Sequence, residues 1–157
     1  MIDTFSWVIP DKLAGMAMPT GVSYGSDSMI RSDLEELRSS GVGCIFSVKP
    51  MERRFGDLCT KAGLRWLYYP IDNFDTPRDA AAFDRVMGRA LDTIRSGVAV
   101  CVHCYAGIGR TGLVLACLAG KLLGAPPAEA VRLVRSGREA FDTEEQVRFV
   151  HAYLKPL

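Results

Sequence analysis

The chain has 157 residues, 48% apolar and 24% charged, with 19 Lys and Arg against 18 Asp and Glu and a formal net charge of +1. That length fits one domain over 1–157 that buries about two-thirds of its unfolded surface, and bases interleaved with acids, as in Asp33-Leu34-Glu35-Glu36-Leu37-Arg38, exclude the strongly basic face of a nucleic-acid binder. Met1-Ile2-Asp3-Thr4-Phe5-Ser6-Trp7 lacks the basic flank and long apolar run of a signal peptide, and no run reaches transmembrane length; with an odd number of cysteines, a cytoplasmic protein that does not bind membranes is expected.

In chain order, Phe5 to Ile9 and Leu13 to Met18 have the composition of one or two strands, and Ile30, Leu34 and Leu37 mark a helix that ends at Gly41. Strands are expected at Val42 to Val48, Leu64 to Ile71 and Val98 to His103, each a β-branched or aromatic run bounded by Gly or Pro. Thr76-Pro77-Arg78-Asp79 offers a capping hydroxyl, a proline at the first helical position and an early acid, and Phe83, Val86, Ala90, Leu91 and Ile94 continue at helical spacing to Gly97. After the Val98 strand the order changes to three successive helices, Thr111 to Leu123, Pro127 to Ser136 and Thr143 to Leu154. The fold class is therefore α/β, with the sheet built first and the helices last.

Between the buried Val98 strand and the apolar helix after it lies His103-Cys104-Tyr105-Ala106-Gly107-Ile108-Gly109-Arg110-Thr111-Gly112. Cysteine and arginine six apart are weak evidence alone, but the setting is specific. Gly107 and Gly109 let the backbone curl so that the amides of Tyr105, Ala106, Gly107, Ile108, Gly109 and Arg110 face one point, and the next helix adds its free amides and positive end. Such a cup holds a tetrahedral dianion, and it favours a thiolate on Cys104 as nucleophile. Arg110 supplies a planar fork for two phosphate oxygens, which a lysine would not match. The Thr111 hydroxyl is expected to donate to the Cys104 sulfur as it departs from a phosphocysteine, and His103 to brace the loop from behind.

Competing readings of the same residues fail on context. Cys101 and Cys104 have C-x-x-C spacing, but Cys101 lies inside Val98-Ala99-Val100-Cys101-Val102 and reads as a buried structural thiol. Gly107-Ile108-Gly109-Arg110-Thr111-Gly112 also matches a dinucleotide fingerprint, yet the chain continues into helices where a second strand ending in an acid is required. Gly-Lys-Ser/Thr is absent, and His103 and His151, the two histidines, are far apart in sequence, so no metal cluster is expected.

At these residues the chain resembles the cysteine-based protein tyrosine phosphatase superfamily, and within it the small atypical dual-specificity phosphatases. Phe5-Ser6-Trp7-Val8-Ile9-Pro10 with Leu13-Ala14-Gly15-Met16-Ala17 is similar to the N-terminus of those proteins and of their archaeal and bacterial relatives, so the resemblance spans nearly the whole chain. It implies a protein tyrosine phosphatase-like (dual-specificity phosphatase) fold with a central, mostly parallel sheet flanked by helices. It also implies a phosphocysteine intermediate, no metal or other cofactor, and activity on phosphotyrosine and also on phosphoserine or phosphothreonine. The late position of Cys104 sets the chain apart from the low-molecular-weight tyrosine phosphatases.

The family uses an Asp in a pattern resembling Pro-Ile-x-Asp-x-x-x-Pro to protonate the leaving oxygen. Here Pro70-Ile71-Asp72-Asn73-Phe74-Asp75-Thr76-Pro77 puts Asn73 at that place, and an amide is no general acid. Asp72 and Asp75 flank it as candidates, Asp72 being preferred; the alternatives are that Asp75 caps the next helix, that Asp72 is solvated, and that neither is a dedicated acid. Asp142-Thr143-Glu144-Glu145-Gln146 resembles the segment whose Gln positions the hydrolytic water, which makes Gln146 the candidate and Glu145 a neighbour able to assist. Tyr105, Ala106, Gly107 and Ile108 are uncharged, which disfavours inositide substrates; Arg53 and Arg54 are either a basic rim or solvated surface. The expected substrate is a phosphorylated protein or peptide, acted on by a monomer. The alternative is a pseudophosphatase that binds phosphopeptides with little turnover.

Overall fold

Alternation along the strands decides which residues enter which core, because successive side chains of a strand point to opposite faces. The computed structural model describes Ile2 and residues 4–155, so Met1, Asp3, Pro156 and Leu157, at the ends of the 1–157 span, lie outside the described residues. The elements are β1 (Ser6–Ile9), β2 (Leu13–Met16), α1 (Thr20–Ser23), α2 (Asp27–Ser39), β3 (Val42–Ser47), α3 (Arg53–Lys61), β4 (Arg65–Tyr68), α4 (Ala80–Arg95), β5 (Ala99–His103), α5 (Gly109–Leu123), α6 (Pro127–Gly137) and α7 (Glu144–Tyr153). The five strands lie in the order β1-β2-β5-β3-β4. β1 pairs antiparallel with β2 and the other pairings are parallel, with Met16 and Ser47 flanking His103 at one level of the sheet.

Val100 and Val102 of β5 join Phe46, Phe83, Met87 and the long buried run of α5 on one face, whereas Cys101 joins Ile45, Met16, Leu34, Leu37, Phe55 and Leu58 on the other. Each fully buried Leu or Phe here contributes about 1.5–3 kcal/mol. α5 is buried on all sides from Gly109 to Gly120, which is why its sequence is apolar without a polar stripe. This fixes the helix that follows the cysteine loop at the centre of the molecule. Among the described residues, no helix is long and apolar enough to cross a membrane.

Several expectations change in detail. The strand expected at Leu64 to Ile71 is confined to Arg65–Tyr68; beyond it the Tyr69 and Ile71 amides still donate to the Ser47 and Val48 oxygens at 3.0 and 3.2 Å, and Pro70 sits between them on the edge of the sheet, where no ladder donor is needed. Thr76 does not cap α4. That helix starts at Ala80, where Asp79 accepts from the Ala82 amide at 3.0 Å, because Asp75 folds the stretch before it by accepting from the Thr76 amide at 2.8 Å and from Arg78. Asp75 is therefore no helix cap either. The N-terminal strands form a hairpin whose second member, β2, is fully buried beside β5. The helices α1 and α3 add to those expected. Cys101 is a buried thiol, as its strand setting implied, and burial raises its proton affinity strongly.

Candidate active site

β5 is the middle strand, and Cys104 follows its last residue at the carboxyl edge of the parallel sheet, where α/β proteins place ligands. Its side chain is 3% exposed. From there the chain turns into α5, whose N-cap, Ile108, gives no side-chain cap, so the first-turn amides stay free for a ligand.

The loop's curl is enforced through its carbonyls. His103 Nδ1 lies 3.0 Å from the Cys104 oxygen, the Met18 amide donates to the Tyr105 oxygen at 2.9 Å, and Arg138 Nη2 donates to the Gly107 oxygen at 2.7 Å. The Ile108 oxygen accepts from the amides of Gly112 and Phe141, each at 3.0 Å. In a trans peptide the carbonyl and the following N–H point in opposite directions. Carbonyls claimed from outside therefore turn the amides of Tyr105, Ala106, Ile108 and Gly109 inward. Gly107 has φ +75°, and a Cβ there would lie 2.6 Å from the Met16 carbonyl, so only glycine fits. A Cβ on Gly109 would collide with the Asp142 carboxylate and stand 3.0 Å from Gln146 Oε1.

Arg110 is 5% exposed, and its Nη1 donates to the Ile71 oxygen at 2.9 Å, which leaves the rest of its fork to the cup. The bond ties Arg110 to the segment that carries Asp72 and Asp75. That segment is a tight turn, with the Asp75 amide donating to the Asp72 oxygen at 3.0 Å and Phe74 at φ +63°. Gln146 holds its far end. Its Nε2 donates to the Asp75 carbonyl oxygen at 3.2 Å, while its Oε1 accepts from the Asp142 amide at 2.8 Å and completes a capping box with Thr143 at the start of α7. Gln146 is fully buried beside Gly109, whereas Glu145 next to it is exposed.

The two carboxylates differ. Asp75 accepts from the Thr76 amide and from Arg78, and both bonds hold its carboxyl below the usual carboxylate range. Asp72 has Arg78 at 3.3 Å and a side chain 66% exposed. Asn73 is exposed. Thr111 Oγ1 is buried without a hydrogen-bond partner among the described residues, so the expected bond to the Cys104 sulfur is not formed in this state. Arg54 is drawn to Asp27 at 3.4 Å and Arg53 is exposed on α3. Lys49, which the sequence reading did not single out, donates its Nζ to the Pro50 oxygen at 2.8 Å and lies within electrostatic reach of Arg110 and Cys104. Burial and then the Arg110 guanidinium lower its proton affinity, and the Cys104 sulfur opposes them.

Arg138, Ser47, Trp66 and Asp142 also reach the site without having been singled out as site residues. Arg138, between α6 and α7, bonds Ser6 Oγ at 2.8 Å as well as Gly107, and burial lowers its proton affinity. Ser47 Oγ lies 2.6 Å from His103 Nε2 and accepts from Trp66 Nε1 at 2.9 Å. An arginine just after a helix and a serine at a strand's end are faint sequence signals, since neither has a spacing that ties it to Cys104.

A family model described as polymorphic toxin system, DSP-PTPase phosphatase matches residues 14–121. Among curated proteins, cyclin-dependent kinase inhibitor 3 of Rattus norvegicus is 29% identical over 134 residues, covering 79% of this chain and 63% of that protein. The chain thus spans less than two-thirds of that relative's length. Among solved structures, Tk-PTP in its active form superposes with a TM-score of 0.80 at 21% identity, covering 100% of both chains. Kinase associated phosphatase with serine in place of its catalytic-site cysteine gives 0.79 at 25% identity, covering 98% of this chain and 94% of that one. The central, mostly parallel sheet, the cysteine loop after its middle strand and the match over residues 14–121 agree, and the chain belongs to the DSP-PTPase family of dual-specificity and tyrosine phosphatases.

Proposed function

We propose that the chain, as a single domain over 1–157, hydrolyses phosphate monoesters on proteins, phosphotyrosine foremost and also phosphoserine or phosphothreonine, through a phosphocysteine on Cys104. The observation that carries this reading is the set of outward-claimed carbonyls around Cys104, which leaves inward amides and the Arg110 fork to hold a phosphate dianion. The Cys104 thiolate attacks phosphorus in line, the S–P bond forms, and the ester P–O bond breaks. Asp72 gives its proton to the departing oxygen. Among the described residues its carboxylate is paired with Arg78 alone, whereas Asp75 is held ionised by an amide and by Arg78. Water then attacks the phosphocysteine. Gln146 positions that water, the Asp72 carboxylate takes its proton, and Thr111 donates its unclaimed hydroxyl to the departing sulfur.

The scheme uses no metal or other cofactor. The names kinase associated phosphatase and cyclin-dependent kinase inhibitor 3 refer to protein partners, which supports a phosphorylated protein or peptide as the substrate class. The free cysteines, all buried, suit the reducing cytoplasm, and the protein acts as a monomer without binding nucleic acid or membranes. Hydrolysis of an aryl phosphate tests the reading. The expected result is turnover by the parent protein and a fall of about 10⁴-fold or more in Cys104→Ser. A parent that binds phosphopeptides without turnover would be a pseudophosphatase, and undiminished turnover in Cys104→Ser would end the mechanism.

A further inference from the structure

Behind the cysteine loop, a buried polar line crosses three strands from Trp66 on β4, through Ser47 at the end of β3, to His103 at the end of β5 and the Cys104 carbonyl. Ser47 and His103 are fully buried, so every polar atom of the line needs a partner within it. Each hydrogen can be assigned from what its neighbours are able to do. The Cys104 carbonyl accepts only, so His103 Nδ1 carries a proton and donates across 3.0 Å. Trp66 Nε1–H donates only, and Ser47 Oγ accepts it at 2.9 Å. The Ser47 hydroxyl hydrogen is then left for His103 Nε2, 2.6 Å away, which accepts it with its lone pair.

We propose that Ser47 and Trp66 are positioning residues that hold His103 as the neutral Nδ1–H tautomer, and that this one-way chain of donors keeps the Cys104 carbonyl turned out of the phosphate cup. With that carbonyl held, the Tyr105 amide faces inward beside the nucleophile. A doubly protonated ring would leave the Ser47 hydrogen without an acceptor in the line. Burial opposes the ring's charge most strongly, Lys49 and Arg110 oppose it as well, and only the Cys104 carbonyl favours it, with the outcome that His103 is pushed down to about 4. Packing holds the line in place. Phe55 of α3 meets the His103 ring edge-on at 5.6 Å, Tyr68 stacks on Trp66 at 5.0 Å, and Gly56 leaves room for the Trp66 ring, which a Cβ there would strike.

The inference rests on the phosphatase reading for its kinetic arm and stands apart from it in its spectroscopic arm. His103 and His151 are the two histidines, so long-range proton–nitrogen NMR spectra of the full chain resolve both rings. Expected at pH 7 is His103 with Nδ1 protonated and Nε2 bare. Ser47→Ala lowers kcat on an aryl phosphate by about tenfold with KM held, the size of one lost hydrogen bond, and shifts the His103 Nε2 resonance. Ser47→Thr, which keeps the hydroxyl, restores both. A proton on Nε2 in the parent, or a Ser47→Ala protein with unaltered kcat and His103 spectrum, overturns the proposal. If Ser47→Ala does not fold, the parent spectrum and the Ser47→Thr kinetics still decide. If the parent has no activity, the phosphatase reading fails while the tautomer assignment is judged on the spectra.

Discussion

The loop from Cys104 to Arg110 and the turn from Asp72 to Asp75 face one another across the same site, yet they are held in different ways. The first is fixed through its backbone: its carbonyls are claimed by His103, Met18, Arg138, Phe141 and Gly112, and Gly107 occupies a conformation closed to other residues. The second is fixed at its ends, by Arg110 on the Ile71 carbonyl and Gln146 on the Asp75 carbonyl, while its side chains stay near solvent and share Arg78. In the proposed mechanism, phosphate capture is therefore preorganised in the backbone, whereas proton delivery depends on side chains whose partners water and salt can exchange.

The largest way to break the contrast is Gly107→Ala. At φ +75° and 2.6 Å from the Met16 carbonyl, the new methyl must move the backbone, and kcat/KM should fall by about 10²-fold or more with a loss of about 1–3 kcal/mol in stability. Steady-state kinetics with a urea titration check this, and a parent-like enzyme would show that the cup tolerates distortion. Next comes the acid. Asp72→Ala should slow aryl phosphates with poor leaving groups by about 10²-fold while sparing good ones, and Asp75→Ala should do less. If neither variant selectively slows the poor leaving group, the acid lies elsewhere, and Asp142 against Gly109 is the next carboxylate to replace.

Stability against pH gives a smaller effect from the backbone side. The unfolded chain takes a proton on His103 near pH 6.5, which the folded chain refuses until about 4, so the folded-state value is depressed. The contribution is complete above about pH 6.5 and is lost as pH falls toward 4, by up to about 3 kcal/mol. Urea midpoints measured from pH 7 to 4 should fall accordingly, and His103→Asn should flatten that part of the curve. A parent midpoint that stays level there would mean that His103 is charged in the folded protein.

The same contrast explains what was legible in the sequence. Strand and helix positions and the Cys104 to Arg110 loop are local patterns, set by hydrophobic period, glycines and the cysteine–arginine spacing. The braces are not local. Arg138 reaches Gly107 across 31 residues, Ser47 reaches His103 across 56, and Gln146 reaches the Asp75 carbonyl across 71. Gln146 was found through a family segment, and its grip on the acid-bearing turn was not. Thr76-Pro77 carried a sound capping pattern, yet Asp75 took the Thr76 amide and Asp79 capped the helix instead, a contest between neighbours that propensity alone does not settle.

The central claim is that Cys104 carries the phosphoryl group. Acid quenching during turnover of a phosphotyrosyl peptide, followed by digestion and mass spectrometry, tests it most directly. The account predicts phosphate on the peptide containing Cys104, lost in Cys104→Ser together with turnover. Turnover with no phosphate on Cys104 under conditions that trap the intermediate, or the same turnover in Cys104→Ser, would contradict it.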